Sequence, residues 1–170
     1  ASPLHLASAY ATLANDGRRV RPTLVHRKQP VQGEQVLSPQ AAAASRDLLR
    51  GVVTRGTAKA AEVTGYSVGG KTGTADKPKP GGGYFKSRVV STFAAIYPTD
   101  TPEYVLVVSL DEPSVSAAGG GELRTAGATA APVAAALIQR LTPMLGLKPE
   151  GAALPEIGPR ASDAVRVSSR

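Results

Sequence analysis

The chain has 170 residues, a length that suits one domain able to bury about 70% of the surface its unfolded chain exposes. Its 20 Lys and Arg residues outnumber its 13 Asp and Glu residues, but they are mostly scattered and not interleaved with aromatic residues, so nucleic acid is not an expected partner. The lack of cysteine excludes disulfides, thiolate metal sites and cysteine nucleophiles. With two distant histidines, His5 and His26, we expect no metal centre and no other cofactor.

Three helices are predicted from apolar residues that recur at helical spacing. The first two begin at Ser-Pro pairs, because serine caps a helix and proline suits its first turn. The third is followed by Pro143, which predicts a kink or an end there. The predicted helices cover residues 3–15, 39–55 and 128–142.

The residues between the second and third helices are β-prone and are divided by turn residues. Tyr104 to Leu110 is a nearly continuous apolar run, typical of a strand buried on both faces. Residues 76–83, rich in Gly, Pro and Lys, predict a loop. Because the links between strands are short, the sequence predicts an α+β fold in which an antiparallel β-sheet is flanked by helices. The predicted strands lie near residues 64–75, 88–97 and 103–111.

The segment GYSVGGKTGTA, residues 65–75, fits a phosphate-binding loop when it is read from Gly65. The later run VLVVSLDE also resembles the apolar strand with an acidic end that holds Mg²⁺ in such proteins. A phosphate-binding loop, however, requires Lys71 and Thr72 to open a helix. The following residues include two prolines and four glycines before residue 84, a composition that does not form a helix. The P-loop interpretation is therefore disfavoured.

Read from Lys71, the same segment contains K-T-G, a motif of penicillin-binding enzymes and related β-lactamases. Lys71 supplies positive charge, and Gly73 leaves room for a substrate backbone to approach the strand. The hydroxyls of Thr72 and Thr74 can bind a carboxylate, and the Thr74 N–H can donate to an oxyanion. The motif alone also fits ordinary strand residues beside a hairpin.

Five segments in order resemble class B penicillin-binding proteins, and most closely the septal cell-division transpeptidases of Gram-negative bacteria. They are SPLHLASAYATLANDGRRVRP, GGKTGTA, STFAAIYP, VLVVSLDEP and GATAAPVAAALIQRL. The resemblance implies the fold shared by these proteins and serine β-lactamases, a five-stranded antiparallel sheet with helices on both faces. Residues 1–148 would form the C-terminal portion of a transpeptidase domain, and composition predicts a flexible tail over residues 149–170. A serine β-lactamase-like hydrolase is the alternative, although residues 1–22 resemble the transpeptidases.

The resemblance implies cross-linking of peptidoglycan stem peptides. A serine attacks a D-Ala-D-Ala bond, forms an acyl-enzyme and passes the acyl group to an amine, and β-lactam antibiotics acylate the same serine. By resemblance, Lys71 and Thr74 are catalytic: Lys71 joins the proton and charge network, and the Thr74 N–H forms half of the oxyanion hole. Thr72, Gly73 and Thr74 would bind the donor. Divisome partners are implied, as is a location at the periplasmic face of the inner membrane through an N-terminal anchor outside this sequence.

Two further motifs of the family, S-x-x-K and S-x-N, do not occur in this sequence. The resemblance places both upstream of residue 1. We therefore expect the chain to carry one wall of the site without its nucleophile, and to be inactive by itself.

Overall fold

The computed structural model describes residues 1–26, 29, 31 and 33–150. Helices and antiparallel strands form the fold, which confirms the predicted α+β class. Among these residues, none of the helices has the length and apolar character needed to cross a membrane. The elements are α1 Pro3–Ala14, α2 Pro39–Thr54, a short 3-10 helix Lys59–Ala61, β1 Gly69–Pro78, β2 Tyr84–Tyr97, β3 Tyr104–Asp111, β4 Val115–Ser116, β5 Glu122–Leu123 and α3 Ala130–Met144.

The two Ser-Pro pairs start helices as predicted. The Ser2 hydroxyl accepts from the His5 N–H, and the Ser38 hydroxyl accepts from the Ala41 N–H at 3.1 Å. Each bond satisfies a backbone donor that the first helical turn leaves unpaired. The third helix continues one residue past Pro143, which lies in its last turn.

The central sheet has the order β1-β2-β3, with both pairs antiparallel as predicted. Strand β1 begins at Gly69 rather than near residue 64, because the chain first turns at Gly65, where φ is +83°. The predicted loop over residues 76–83 is shorter than expected, since β1 extends to Pro78 and β2 begins at Tyr84. A shift in register between Asp76 and Pro78 accommodates the proline on this outer strand.

The core lies on the face of the sheet that carries Phe93 and Ala95. Helix α3 packs against this face of β2 and β3, while α1 and α2, which contact each other, cover the opposite face. Alanine and valine dominate the buried side chains, so closely spaced backbones rather than large side chains fill the interior. This close packing fixes β1 against α2 and so positions the K-T-G segment.

The predicted tail begins within the described residues. The Glu150 N–H donates to the Gly65 carbonyl at 2.7 Å, and the Glu150 carboxylate accepts from the Ser67 N–H at 3.0 Å. Glu150 therefore contacts the turn that precedes β1. Residues 151–170 lie outside the described residues, and their assignment to a flexible tail stays a prediction.

Candidate active site

The K-T-G segment lies in the middle of β1, at an edge of the sheet. Strand β2 pairs with β1 on one side, and within the part of the chain that the structure describes no strand pairs on the other. Lys71 and Thr72 are both strand residues, and no helix begins there. The P-loop alternative is therefore wrong, because that motif binds phosphate with the N–H groups that open a helix.

The backbone groups of Thr72 and Thr74 point toward the free edge. Strand residues direct their backbone groups alternately to one neighbour and to the other. The Val89 carbonyl accepts from the Glu112 N–H at 2.9 Å, which assigns the odd-numbered residues of β2 to the β3 side and the even-numbered residues to β1. Gly73 pairs with residue 92 and therefore bonds to β2. Among the described residues, the N–H and carbonyl groups of Thr72 and Thr74 consequently have no strand partner, although the Thr72 carbonyl accepts from the Lys71 side chain.

The side chains of Thr72 and Thr74 line one cavity of about 500 Å³. The Thr72 hydroxyl oxygen lies 2.7 Å from that of Thr57, and the Thr74 hydroxyl accepts from the Ala126 N–H at 2.9 Å. Four of the seven lining residues are threonines, whose hydroxyls can hydrogen-bond an anionic ligand. Its lining residues are Thr57, Thr72, Thr74, Thr125, Ala126, Gly127 and Ala128.

Lys71 and Gly73 lie on the other face of β1, because side chains alternate along a strand. The exposed Lys71 ammonium donates to the Thr72 carbonyl at 2.8 Å, and among the described residues it forms no ion pair. A Cβ added at Gly73 would meet one atom within 4 Å, the Thr92 carbonyl oxygen at 3.9 Å. The structure thus divides the predicted site residues: two threonines share the cavity, while the lysine and the glycine face a separate, open side.

The loop between β5 and α3 forms the outer wall of the cavity. Thr74 and Ser91 are register partners on neighbouring strands, and each bonds this loop. Thr74 accepts from Ala126, and the fully buried Ser91 hydroxyl donates to the Arg124 carbonyl at 2.6 Å. These two bonds fix the loop against the strand that carries the motif.

Thr57 and the loop residues were not predicted as part of the site. Thr57 lies 15 residues before Thr72, and Ala126 lies 52 residues after Thr74. No sequence motif links either pair. The glycine at position 127 is a weak sequence signal of a close backbone contact. In the structure, a Cβ there would lie 2.4 Å from the Thr57 carbonyl oxygen.

An ion cluster links the β1–β2 hairpin to the end of β3. It is formed by Lys77, Arg88, Asp111 and Glu112. Glu112 accepts from both cations, with an oxygen 2.7 Å from the Lys77 ammonium. Hydrogen bonds from Arg88 and then Lys77 lower the pKa of Glu112 to about 2. Asp111 and Glu112 thus bind cationic side chains, and the described residues contain no group suited to a metal ion.

Residues 1–139 match the family model described as the penicillin binding protein transpeptidase domain. The chain belongs to this family. It is 40% identical over 158 residues to the probable peptidoglycan D,D-transpeptidase FtsI of Caulobacter vibrioides, and 35% identical over 136 residues to a peptidoglycan D,D-transpeptidase FtsI homolog of Chlorokybus atmophyticus. The matches cover 86% and 80% of this chain, but it spans 26% and 19% of the two relatives.

Solved structures of the family share the fold. The transpeptidase domain of Burkholderia pseudomallei penicillin-binding protein 3 matches with a TM-score of 0.74 and 35% identity, over 88% of this chain and 44% of that one. Penicillin-binding protein 3 of Mycobacterium tuberculosis, solved with aztreonam, matches with a TM-score of 0.74 and 32% identity, over 88% and 36% of the two chains. The predicted family and the predicted fold are therefore confirmed.

Proposed function

We propose that this chain is part of a peptidoglycan D,D-transpeptidase that cross-links stem peptides through a serine acyl-enzyme. The observation that carries the proposal is the position of K-T-G on a free strand edge, beside a cavity to which four threonines contribute. The names of the relatives, which include peptidoglycan D,D-transpeptidases, support the same activity.

The free edge and the cavity suit the donor peptide. An extended peptide can bond to the open backbone groups of Thr72 and Thr74 as an added strand. Its terminal carboxylate would enter the cavity and accept from the two threonine hydroxyls. The Thr74 N–H would donate to the oxyanion of the tetrahedral intermediate, and one such donor contributes about 3 kcal/mol to transition-state stabilisation.

The opposite face of β1 suits the nucleophile. Lys71 has a flexible four-carbon side chain whose ammonium can exchange the Thr72 carbonyl for a nearby serine. Gly73 leaves this face open, so a serine can reach a carbonyl held at the strand edge. In this arrangement the carboxylate binds on one side of β1 and the attack comes from the other.

The nucleophile belongs to residues outside these 170, because acyl transfer needs a serine with a base in hydrogen-bond reach and the sequence has no S-x-x-K or S-x-N. By itself the chain is inactive. The ligands proposed for the whole protein are stem peptides and β-lactams, in keeping with family structures solved with aztreonam and ampicillin. Divisome proteins are its proposed partners, and the periplasmic face of the inner membrane, reached through an N-terminal anchor, is its proposed location.

Labelling with a fluorescent penicillin tests this function. The full-length protein should form a stable covalent adduct, and this chain alone should form none until the upstream portion is added as a separate polypeptide. Labelling of the chain alone would show that it contains a nucleophile. Rapid release of the label, with hydrolysis of many penicillin molecules per protein, would identify a β-lactamase-like hydrolase instead.

A further inference from the structure

Thr57 lies outside the K-T-G strand, yet its hydroxyl contacts the strand directly. Its oxygen is 2.7 Å from the Thr72 hydroxyl oxygen, and both residues line the cavity. Because the proposed function assigns Thr72 to the donor carboxylate, a residue that bonds Thr72 can control how that carboxylate is held.

The backbone of Thr57 is held in place on both sides. The Gly56 and Ala58 N–H groups both donate to the Val52 carbonyl of α2, at 3.0 and 3.2 Å, and the Ala58 side chain is fully buried. The Thr57 carbonyl packs so closely on the outer loop that a Cβ at Gly127 would lie 2.4 Å from it. Thr57 is exposed, but its backbone is therefore held between α2 and the cavity wall.

The direction of the hydrogen bond between Thr57 and Thr72 matters for carboxylate binding. A hydroxyl has one proton to donate, whereas a carboxylate accepts only. The Ala126 N–H can only donate, so its bond to Thr74 leaves the Thr74 proton for a ligand. Between Thr57 and Thr72 either oxygen can be the donor. A carboxylate in the cavity would take the Thr72 proton, and Thr72 must then accept from Thr57.

We propose that Thr57 is a positioning residue for carboxylate binding: it donates to the Thr72 hydroxyl and thereby directs the Thr72 proton to the substrate carboxylate. This inference rests on the proposed function of the cavity. It predicts that loss of the Thr57 hydroxyl weakens reaction with carboxylate-bearing ligands and spares ligands without that group.

The test measures acylation rate constants of the full-length protein with benzylpenicillin and with its methyl ester. Thr57→Val keeps the shape of the side chain and removes its hydroxyl. We expect about a fivefold slower reaction with the acid, the size of one neutral hydrogen bond, and an unchanged rate with the ester. Thr57→Ser should restore the rate with the acid. Thr54→Val is the matched control, since the Thr54 hydroxyl bonds the carbonyl of Arg50 in its own helix at 3.2 Å.

Each other outcome overturns the inference in a recognisable way. If wild-type protein is not acylated by benzylpenicillin, the proposed function fails and the inference fails with it. If the wild type reacts and Thr57→Val reacts equally fast, Thr57 does not position the carboxylate. An equal loss with acid and ester, or no recovery in Thr57→Ser, would assign Thr57 a packing role only.

Discussion

Replacement of Gly73 by alanine should slow acylation strongly without weakening the fold, whereas the same change at Gly70 should weaken the fold. Both glycines lie in β1, three residues apart, and neither has a positive φ. They differ in what a methyl group would touch. The pair therefore separates a site effect from a stability effect within one strand.

The expected magnitudes follow from the two surroundings. At Gly73 a Cβ would meet the Thr92 carbonyl at 3.9 Å, an ordinary contact, and alanine commonly stabilises such positions by about 0.4–1 kcal/mol through the unfolded state. At Gly70 a Cβ would lie 2.5 Å from both the Phe93 ring and the Ala94 carbonyl oxygen. Phe93 is fully buried, so neither neighbour can move easily, and overpacking of this kind costs about 1–3 kcal/mol.

The acylation rate should respond in the opposite way, with the larger effect at Gly73. A methyl group at Gly73 projects toward the face from which we expect the serine to attack. A displacement of the reacting atoms by about 1 Å can lower a rate about 100-fold. We therefore expect the acylation rate of Gly73→Ala to fall by about that factor or more.

Both variants are made in the full-length protein, and the melting temperature and the rate of labelling by a fluorescent penicillin are measured. Gly73→Ala should melt at or slightly above the wild-type temperature, and Gly70→Ala measurably below it. Labelling of Gly73→Ala at the wild-type rate would show that the serine does not approach the substrate across this face of β1. A fall in melting temperature equal to that of Gly70→Ala would show that β1 has no room for a methyl group at Gly73.

Three further changes test other contacts. Lys71→Ala should lose most penicillin acylation with a nearly unchanged melting temperature, since Lys71 is exposed and bonds one carbonyl; normal acylation would contradict its role. Ser91→Ala should lose about 0.5–1.5 kcal/mol of unfolding free energy in urea, because the bond from the buried Ser91 hydroxyl to the Arg124 carbonyl of the loop is lost; no change would show that the loop is held otherwise. Arg88 and Lys77 lower the folded-state pKa of Glu112 to about 2, so its stabilising effect is present above its usual value of 4.5 and is lost as pH falls from 4.5 to about 2. In Glu112→Gln the melting temperature should fall less steeply across that range, and an unchanged slope would exclude Glu112 as a cause.

Features that depend on neighbouring residues were predictable from the sequence. Ser2 and Ser38 cap helices because a serine hydroxyl reaches an N–H three residues later. The Gly and Pro content after Lys71 excludes a helix and so decided between the two motifs, since these residues disfavour helical backbone wherever the segment packs. Strand alternation then separates Thr72 from Lys71.

Tertiary structure decided where β1 begins and what surrounds the threonines. The turn at Gly65 is tied to Glu150, and the Thr74 hydroxyl bonds Ala126, which lies 52 residues later in the chain. Thr57 reaches Thr72 because the turn after α2 packs beside β1. Such contacts join residues far apart in the chain, and their geometry depends on how whole helices and strands pack, which no local pattern of residues encodes.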